Sequence, residues 1–203
     1  VKYNEEILSA IEQKLIGENI TYEKLTETEF NEILAMNDNV NKLYEEYEEQ
    51  LDDLSLIDEP KIYSYDMPPL KYINNNAQGN IEYYQGEYDQ NGYFSGIGIY
   101  ISKDLDVYFG QFKNDAYDGK GLLIAHNGNS IFGNWVNGEC NGSGILKIIG
   151  GLKYTGEFVN NKKNGKGKEE YMDGSIFEGE FKNGIKSGFG KFNFANGQIH
   201  EGY

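Results

Sequence analysis

A repeat with a period of 23 residues occupies the second half of the chain and constrains the fold more than any other sequence feature. Each copy contains an aromatic-x-Gly-x-aromatic motif, and successive central glycines lie 24, 23, 23 and 23 residues apart. A Gly-x-Gly motif follows every full copy at a constant step of 23 residues. Such a step is typical of architectures in which each unit packs against its neighbours. The central glycines are Gly86, Gly110, Gly133, Gly156 and Gly179, and a sixth copy starts at His200.

The two motifs predict two neighbouring β-strands. Alternate residues of a strand lie on one face, so the central glycine leaves a notch between two rings. Gly-x-Gly leaves notches on the next strand, and a ring from one strand can lie over the bare glycine backbone of the other. Asn-Gly and Asp-Gly pairs between the motifs suit two-residue hairpin turns. We therefore expect five full repeats to form ten antiparallel strands in one continuous meander.

The second aromatic position of the repeat is predicted to be structural. Five residues occupy it: Tyr88, Phe112, Trp135, Phe158 and Phe181. We interpret these rings as the core of a thin fold and expect Trp135, in the middle repeat, to be largely buried. A ligand groove between rings is the alternative, because a single sheet cannot cover both of its own faces.

These motifs resemble the MORN-repeat family, whose pattern is Tyr-x-Gly-x-Trp/Phe, then Asn-Gly, Gly-x-Gly and Asp-Gly. The resemblance covers residues 84–203 and departs from the pattern at Ile131, His200 and Leu105. It implies a mainly β fold, an elongated single antiparallel meander sheet of stacked hairpins. It also implies a scaffold or binding module of cytoskeletal, ciliary or membrane-junction proteins. Some relatives bind acidic phospholipids, form dimers or carry an enzyme domain.

The residues before the repeat differ in kind, because residues 1–83 contain 19 acidic residues and 6 lysines but only 2 glycines. Apolar residues at helical spacing predict a small acidic α-helical region over residues 1–57. Three prolines and an Asn run predict an irregular connector over residues 58–80. The repeat domain is expected over residues 81–203. The most regular apolar stripe consists of Val40, Tyr44, Tyr47, Leu51 and Leu54.

This stripe has to be buried somewhere. The acids between its members indicate a solvated face opposite a buried stripe, or else a negatively charged docking surface. The stripe could pack against other helices, the sheet or a partner, and we favour a protein partner, plausibly a basic helix steered by Glu45 and its neighbours.

Composition excludes several classes of function. The net charge is −15 and the chain contains no arginine, which argues against nucleic-acid binding. Cys140, His126 and His200 are the only cysteine and histidines, so we expect no metal site, no cofactor and no catalytic residues. No phosphate-binding loop follows the required spacing. A reduced cytoplasmic setting is expected, with association with the cytoskeleton or a membrane.

A basic cluster in the fourth repeat is the remaining candidate site. It consists of Lys162, Lys163, Lys166 and Lys168, which we place in a turn. Such a cluster is usually solvated, and the alternative is contact with an anion or an acidic phospholipid. The sequence thus favours a non-catalytic protein-interaction scaffold or adaptor, which could also form homo-oligomers. A phospholipid-binding membrane tether is the second hypothesis, and the regulatory part of a larger enzyme is the third.

Overall fold

The chain forms one antiparallel sheet. The computed structural model describes residues 20–24, 70–74, 81–104 and 106–203. Thirteen strands lie side by side in chain order, each paired with the strands before and after it. They are β1 Ile20–Lys24, β2 Leu70–Asn74, β3 Ile81–Tyr88, β4 Phe94–Ile101, β5 Val107–Lys113, β6 Ala116–Ile124, β7 Ser130–Val136, β8 Glu139–Ile148, β9 Leu152–Val159, β10 Lys162–Glu170, β11 Ile176–Lys182, β12 Ile185–Asn193 and β13 Ile199–Gly202.

The repeats correspond to successive hairpins of this sheet, as predicted. Every aromatic motif lies on an odd-numbered strand from β3 onwards, and every Gly-x-Gly motif lies on the strand that follows. Five full repeats supply β3 to β12, and the start of the sixth supplies β13. The meander predicted from spacing is therefore confirmed in strand order and in pairing.

Two short strands precede the repeats. β1 pairs with β2, and β2 pairs with β3, so both extend the sheet at its first edge. At these residues the structure differs from the helix and the irregular connector that we expected, because the unpaired edge of β3 offers backbone hydrogen bonds to any strand that can add to it. The other residues of the predicted helical region and connector, including Val40, Tyr44, Tyr47, Leu51 and Leu54, lie outside the described residues.

Two kinds of turn join the strands. Asn137 and Gly138 both have positive φ, at 49° and 82°, as a two-residue type I′ turn requires. The loop after β6 is longer, because Ala125 N–H donates to the Asn129 carbonyl at 2.8 Å and closes five residues. The expectation of two-residue turns thus holds for the first kind and is wrong for the second. There, Gly128 N–H donates to the Ala125 carbonyl at 2.7 Å.

A row of glycines crosses the repeat sheet, with one glycine on each strand from β3 to β13. Its members are Gly86, Gly98, Gly110, Gly121, Gly133, Gly144, Gly156, Gly167, Gly179, Gly190 and Gly202. Rings fill the notches that this row leaves. A Cβ added at Gly121 would lie 2.5 Å from Cε2 of Tyr108, and one added at Gly98 would lie 2.6 Å from the Tyr84 hydroxyl oxygen.

The face with these rings is called the aromatic face here, and it holds the core of the repeat domain. Its buried residues are Tyr84, Tyr108, Phe112, Trp135, Cys140, Tyr154, Phe158, Phe177 and Phe181. Trp135 is 3% exposed, and its indole Nε1–H donates to the Gly121 carbonyl at 2.9 Å. The predicted burial of this ring is confirmed. Tyr88 is partly buried against the same cluster.

A register shift recurs in each of the five full repeats, and it gives the two glycines of Gly-x-Gly different roles. On β8, Gly144 belongs to the glycine row and lies opposite Gly133 and Gly156. Gly142 instead adopts a φ of 80° where the pairing of β7 with β8 shifts, between Gly133 and Trp135. One glycine allows close packing, and the other allows a left-handed backbone at the bulge.

Candidate docking surface

The face opposite the aromatic face changes character along the sheet, and we call it the mixed face. One row of directly opposed residues crosses it from β4 to β13. The members of the row are Ile99, Phe109, Leu122, Phe132, Ile145, Thr155, Lys168, Glu178, Lys191 and Glu201. The row is apolar over β4–β8 and polar from β9 onwards, where lysine and glutamate alternate. We refer to these parts as the apolar half and the charged half.

Burial follows the same division. The five apolar members of the row are between 0% and 2% exposed. In the adjacent row of the apolar half, Ile101 and Val107 are also buried. In the charged half, Glu178 and Glu180 are exposed, and Phe189 is 47% exposed although it is aromatic. Side chains at equivalent positions of the repeat therefore have opposite environments in the two halves.

Ion pairs lie along the charged half. Lys168 Nζ lies 3.0 Å from Glu170 Oε1, and Lys191 Nζ lies 3.2 Å from Glu201 Oε1. Hydrogen bonding from Lys168 lowers the pKa of the Glu170 carboxyl. These pairs are partly exposed, so each contributes little to stability and their charges stay available to a binding partner.

A groove of about 540 Å³ lies between β10, β11 and β12 in the charged half. Its lining includes a mixture of cations, anions and one ring: Lys166, Lys168, Lys191, Glu178, Glu180 and Phe189. The ring of Phe189 also contacts that of Tyr203 at 5.4 Å between centroids. The groove can therefore offer an apolar contact beside charges of both signs.

The structure separates the four lysines that the sequence grouped together. All of them lie on strand β10 and not in a turn, because the type I′ turn is Asn160 and Asn161, with φ of 47° and 63°. Lys166 and Lys168 line the groove, and Lys162 is exposed at the start of the strand. Lys163 lies on the aromatic face, where its ammonium pairs with Glu169. The predicted cluster is thus not one surface.

Lys163 and Glu169 belong to a polar network within the core. Glu169 is buried, and it accepts hydrogen bonds from Lys163 and from the Tyr171 hydroxyl. Lys186 Nζ lies 2.7 Å from Glu169 Oε2. Burial alone would raise the pKa of Glu169, but the hydrogen bonds from Lys163, Lys186 and Tyr171 outweigh it and the pKa is lowered.

This network occupies positions that are apolar in other repeats. Five residues spaced by 23 are equivalent to Lys163 or to one another: Phe94, Tyr117, Cys140, Lys163 and Lys186. Tyr117 stacks on Tyr108 at 3.6 Å between centroids, and Phe94 stacks on Tyr84 at 3.7 Å. In the later repeats a cation replaces the stacked ring, and Lys186 Nζ lies 4.8 Å from the Phe177 ring centroid. Cation–π contact thus takes the place of ring stacking.

No catalytic arrangement occurs among residues 81–104 and 106–203. Burial raises the pKa of the Cys140 thiol to about 12, so the thiolate needed for nucleophilic attack is scarce at neutral pH. His126 is exposed and contacts Asp106, with 3.1 Å between Nδ1 and Oδ1. In the part of the chain that the structure describes, no three His, Cys, Asp or Glu residues could hold a metal ion together. The described residues also include no helix that could span a membrane.

The mixed face was missed by the sequence analysis, although the sequence contains a signal for it. The residue after the first aromatic of each repeat changes from Phe109 and Phe132 to Thr155 and Glu178. The residue after the second glycine of Gly-x-Gly changes from Leu122 and Ile145 to Lys168 and Lys191. Comparing equivalent positions across repeats, in place of motifs within a repeat, would have located both halves.

Comparison with known proteins identifies the repeats. The family model described as MORN repeat matches residues 84–107, 108–130, 132–151, 154–176 and 177–199. No curated protein sequence matches the chain. Among solved structures, the TCP domain of SAS-4 (dCPAP) from Drosophila melanogaster, in complex with a proline-rich motif of Ana2 (dSTIL), has 14% identity. The match covers 66% of this chain and 82% of that one, with a TM-score of 0.30, which carries no argument.

Proposed function

Because this chain belongs to the MORN-repeat family, we propose that it is a non-catalytic protein-interaction scaffold whose charged half binds a partner protein. MORN repeats generally serve as interaction modules for proteins or membranes. The observation that carries the proposal for this chain is the groove between β10, β11 and β12, where Phe189 is half-exposed among lysines and glutamates. Exposed rings within a polar rim are favoured in protein interfaces.

The chemistry of the groove indicates the kind of segment that it would bind. Phe189 offers apolar contact, and Lys166 and Lys191 offer cations beside the carboxylates of Glu178 and Glu180. A partner segment with one apolar side chain between charges of both signs would complement this lining. We place such an interaction in a cytoplasmic assembly associated with the cytoskeleton or a membrane, as the family suggests.

Binding can be tested with a groove variant and a matched control. Phe189→Ala combined with Lys166→Glu removes the apolar contact and reverses one charge of the groove. Lys182→Glu reverses an exposed lysine at the end of β11, outside the groove lining. Partners that co-purify with the wild-type chain from native cells should be lost from the groove variant and retained by the control. If the groove variant retains every partner, the proposed binding site is wrong.

Membrane tethering is a second candidate, because Lys166, Lys168 and Lys191 converge on the same groove. Glu178, Glu180 and the paired Glu170 and Glu201 offset these cations, so protein binding is favoured. Sedimentation with phosphoinositide-containing vesicles at physiological salt distinguishes the two functions. Binding that disappears in a Lys162→Glu, Lys166→Glu variant would support tethering. Lys163 is unsuitable for this test because its ammonium belongs to the network of Glu169.

A further inference from the structure

The burial of the apolar half requires a second layer. Ile99, Phe109, Leu122, Phe132 and Ile145 are 0% to 2% exposed within a single copy of the chain. A single sheet leaves the side chains of an uncovered face open to solvent, as Glu178, Phe189 and Ile199 of the same face demonstrate. Residues 20–24, 70–74, 81–104 and 106–203 form only the one sheet, so none of their strands lies across this face.

We propose that the segment between β1 and β2, residues 25–69 of this same chain, covers the apolar half of the mixed face. The stripe of Val40, Tyr44, Tyr47, Leu51 and Leu54 supplies the apolar contact. Our sequence analysis favoured an external protein as the partner of this stripe. The burial of the sheet within one copy instead makes the sheet its partner. This inference is independent of the proposed function, which concerns the charged half.

The path of the chain brings the segment to the right place. It leaves the sheet after Lys24 and returns at Leu70, and these two residues are directly opposed. Leu70 is opposite Tyr84, and Tyr84 is opposite Tyr100, which is adjacent in sequence to Ile99. The segment therefore begins and ends within one residue of the level of the apolar row. It also starts two strands before β4, a distance of about 10 Å.

The lengths of the two surfaces also agree. The apolar row crosses β4 to β8, and four strand spacings measure about 19 Å. If residues 40 to 54 form the predicted helix, the 1.5 Å rise per residue makes the stripe about 21 Å long. One such helix, laid across the strands, would cover the whole apolar row and end near Thr155, where the charged half begins.

Charge on the two partners is complementary. Residues 25–69 contain 13 acidic residues and 2 lysines. Lys120 is 3% exposed and belongs to the mixed face, where it is directly opposite Asn134. A lysine is almost never fully buried unless it is paired, and the acids flanking the stripe would provide carboxylates over this face.

The test measures whether the apolar row is covered in the full chain. Cys140→Ala removes the natural thiol, and Leu122→Cys or Glu178→Cys then places a single thiol in either half of the same row. We expect a thiol reagent to label position 122 at least tenfold more slowly than position 178. Tyr47→Glu with Leu51→Glu should then speed labelling at position 122 about tenfold or more.

Two controls separate uncovering of the row from a change in charge and from unfolding of the sheet. Lys42→Glu changes the net charge by the same two units and is predicted to lie opposite the stripe, so it should leave the labelling rate unchanged. Trp135 is the only tryptophan and lies on the aromatic face, so its emission reports whether the sheet stays folded. Equal labelling at positions 122 and 178, or no response to the stripe substitutions in a folded sheet, would overturn the proposal.

A second measurement does not depend on how the stripe variant folds. A photo-crosslinking amino acid at position 132 of the otherwise unaltered full chain should capture a peptide from residues 25–69 of the same molecule. Mixing isotopically light and heavy chains distinguishes this result from capture of a second copy. Cross-links between chains, or to sheet residues only, would contradict the assignment.

Discussion

At the scale of single residues, glycine is required in this sheet for two different physical reasons. Gly138 has a φ of 82° and no atom within 4 Å of the place where a Cβ would lie, so an added methyl group would meet only backbone strain. Gly121 has an ordinary strand backbone, but its Cβ would lie 2.5 Å from the Tyr108 ring. The same substitution therefore probes conformation at one position and packing at the other.

Alanine at these two glycines should have unequal effects. Gly138→Ala should cost about 1 kcal/mol of unfolding free energy, the usual penalty for a left-handed backbone. Gly121→Ala should cost about 3 kcal/mol, at the upper end of overpacking penalties, because Tyr108 is itself buried under Tyr117 and has little room to move. Urea denaturation followed by circular dichroism measures both. Similar costs would show that the glycine row is not a packing requirement.

Trp135 should be a core residue and not a ligand-binding residue. Its ring makes edge contacts with Tyr108 and Tyr117 at 5.5 and 5.6 Å between centroids. Trp135→Ala should therefore lower the unfolding free energy by about 3–5 kcal/mol. Trp135→Phe keeps most of the packing and should cost less, although it leaves the Gly121 carbonyl without its indole donor. A Trp135→Ala chain that unfolds like wild type but loses a partner would make the ring a binding residue.

Glu169 should make stability depend on pH in the acid range. Its pKa is lowered in the folded state by Lys163, Lys186 and Tyr171, so the ionised form stabilises the fold above the unfolded-state pKa of about 4.5. That contribution is lost as the pH falls through the lower, folded-state pKa. The stability difference between wild type and Glu169→Gln should thus shrink between pH 6 and pH 3. A difference that stays constant over this range would show that the carboxylate charge is not what stabilises the network.

At the scale of secondary-structure elements, the repeats let one hairpin serve as a template for another. Lys163 and Glu169 occupy the positions of Tyr117 and Leu123 two repeats earlier. Glu169→Leu alone should cost about 3–5 kcal/mol, because it leaves the buried Lys163 ammonium without its carboxylate. Adding Lys163→Tyr should recover most of this loss, since a ring at this position can stack on Tyr154 as Tyr117 stacks on Tyr108.

A double-mutant cycle at pH 7 measures this coupling. Lys163→Tyr alone supplies the fourth corner and should also be destabilising, because it leaves Glu169 buried with fewer donors. Additive single effects would show that Lys163 and Glu169 do not act as a pair.

The elements also show how far the sequence determines what can be predicted. The meander, its register and the burial of Trp135 follow from motifs repeated five times, because each copy confirms the strand assignment of the others. β1 and β2 have no such support: Ile20–Lys24 and Leu70–Asn74 are single short segments, and their strand state depends on pairing at the edge of β3. The separation of Lys163 from Lys166 depends on which face each residue occupies on β10. Placing these residues in a turn concealed that alternation.

At the scale of the whole molecule, the sheet is close to a one-dimensional object. Every strand from β2 to β12 pairs only with its sequence neighbours, and no later strand returns to close the sheet. Stability in such architectures depends on each unit and its nearest neighbours. Damage should therefore spread over a limited distance, and the free last edge should open before the centre.

Hydrogen exchange should consequently follow a gradient along the chain. Backbone amides of β5–β9 should exchange most slowly, because they have paired strands on both sides, aromatic packing on one face and buried apolar residues on the other. Amides of β12 and β13 should exchange fastest, since most residues of these strands are exposed or half-buried and β13 has one unpaired edge. Gly190→Ala, whose added Cβ would lie 2.5 Å from the Phe177 ring, should speed exchange in β11–β13 and leave β5–β7 unchanged. Gly121→Ala should instead speed exchange throughout the central strands. Mass spectrometry of native-state exchange resolves these segments, and uniform acceleration by Gly190→Ala would show that the sheet unfolds as a single cooperative unit.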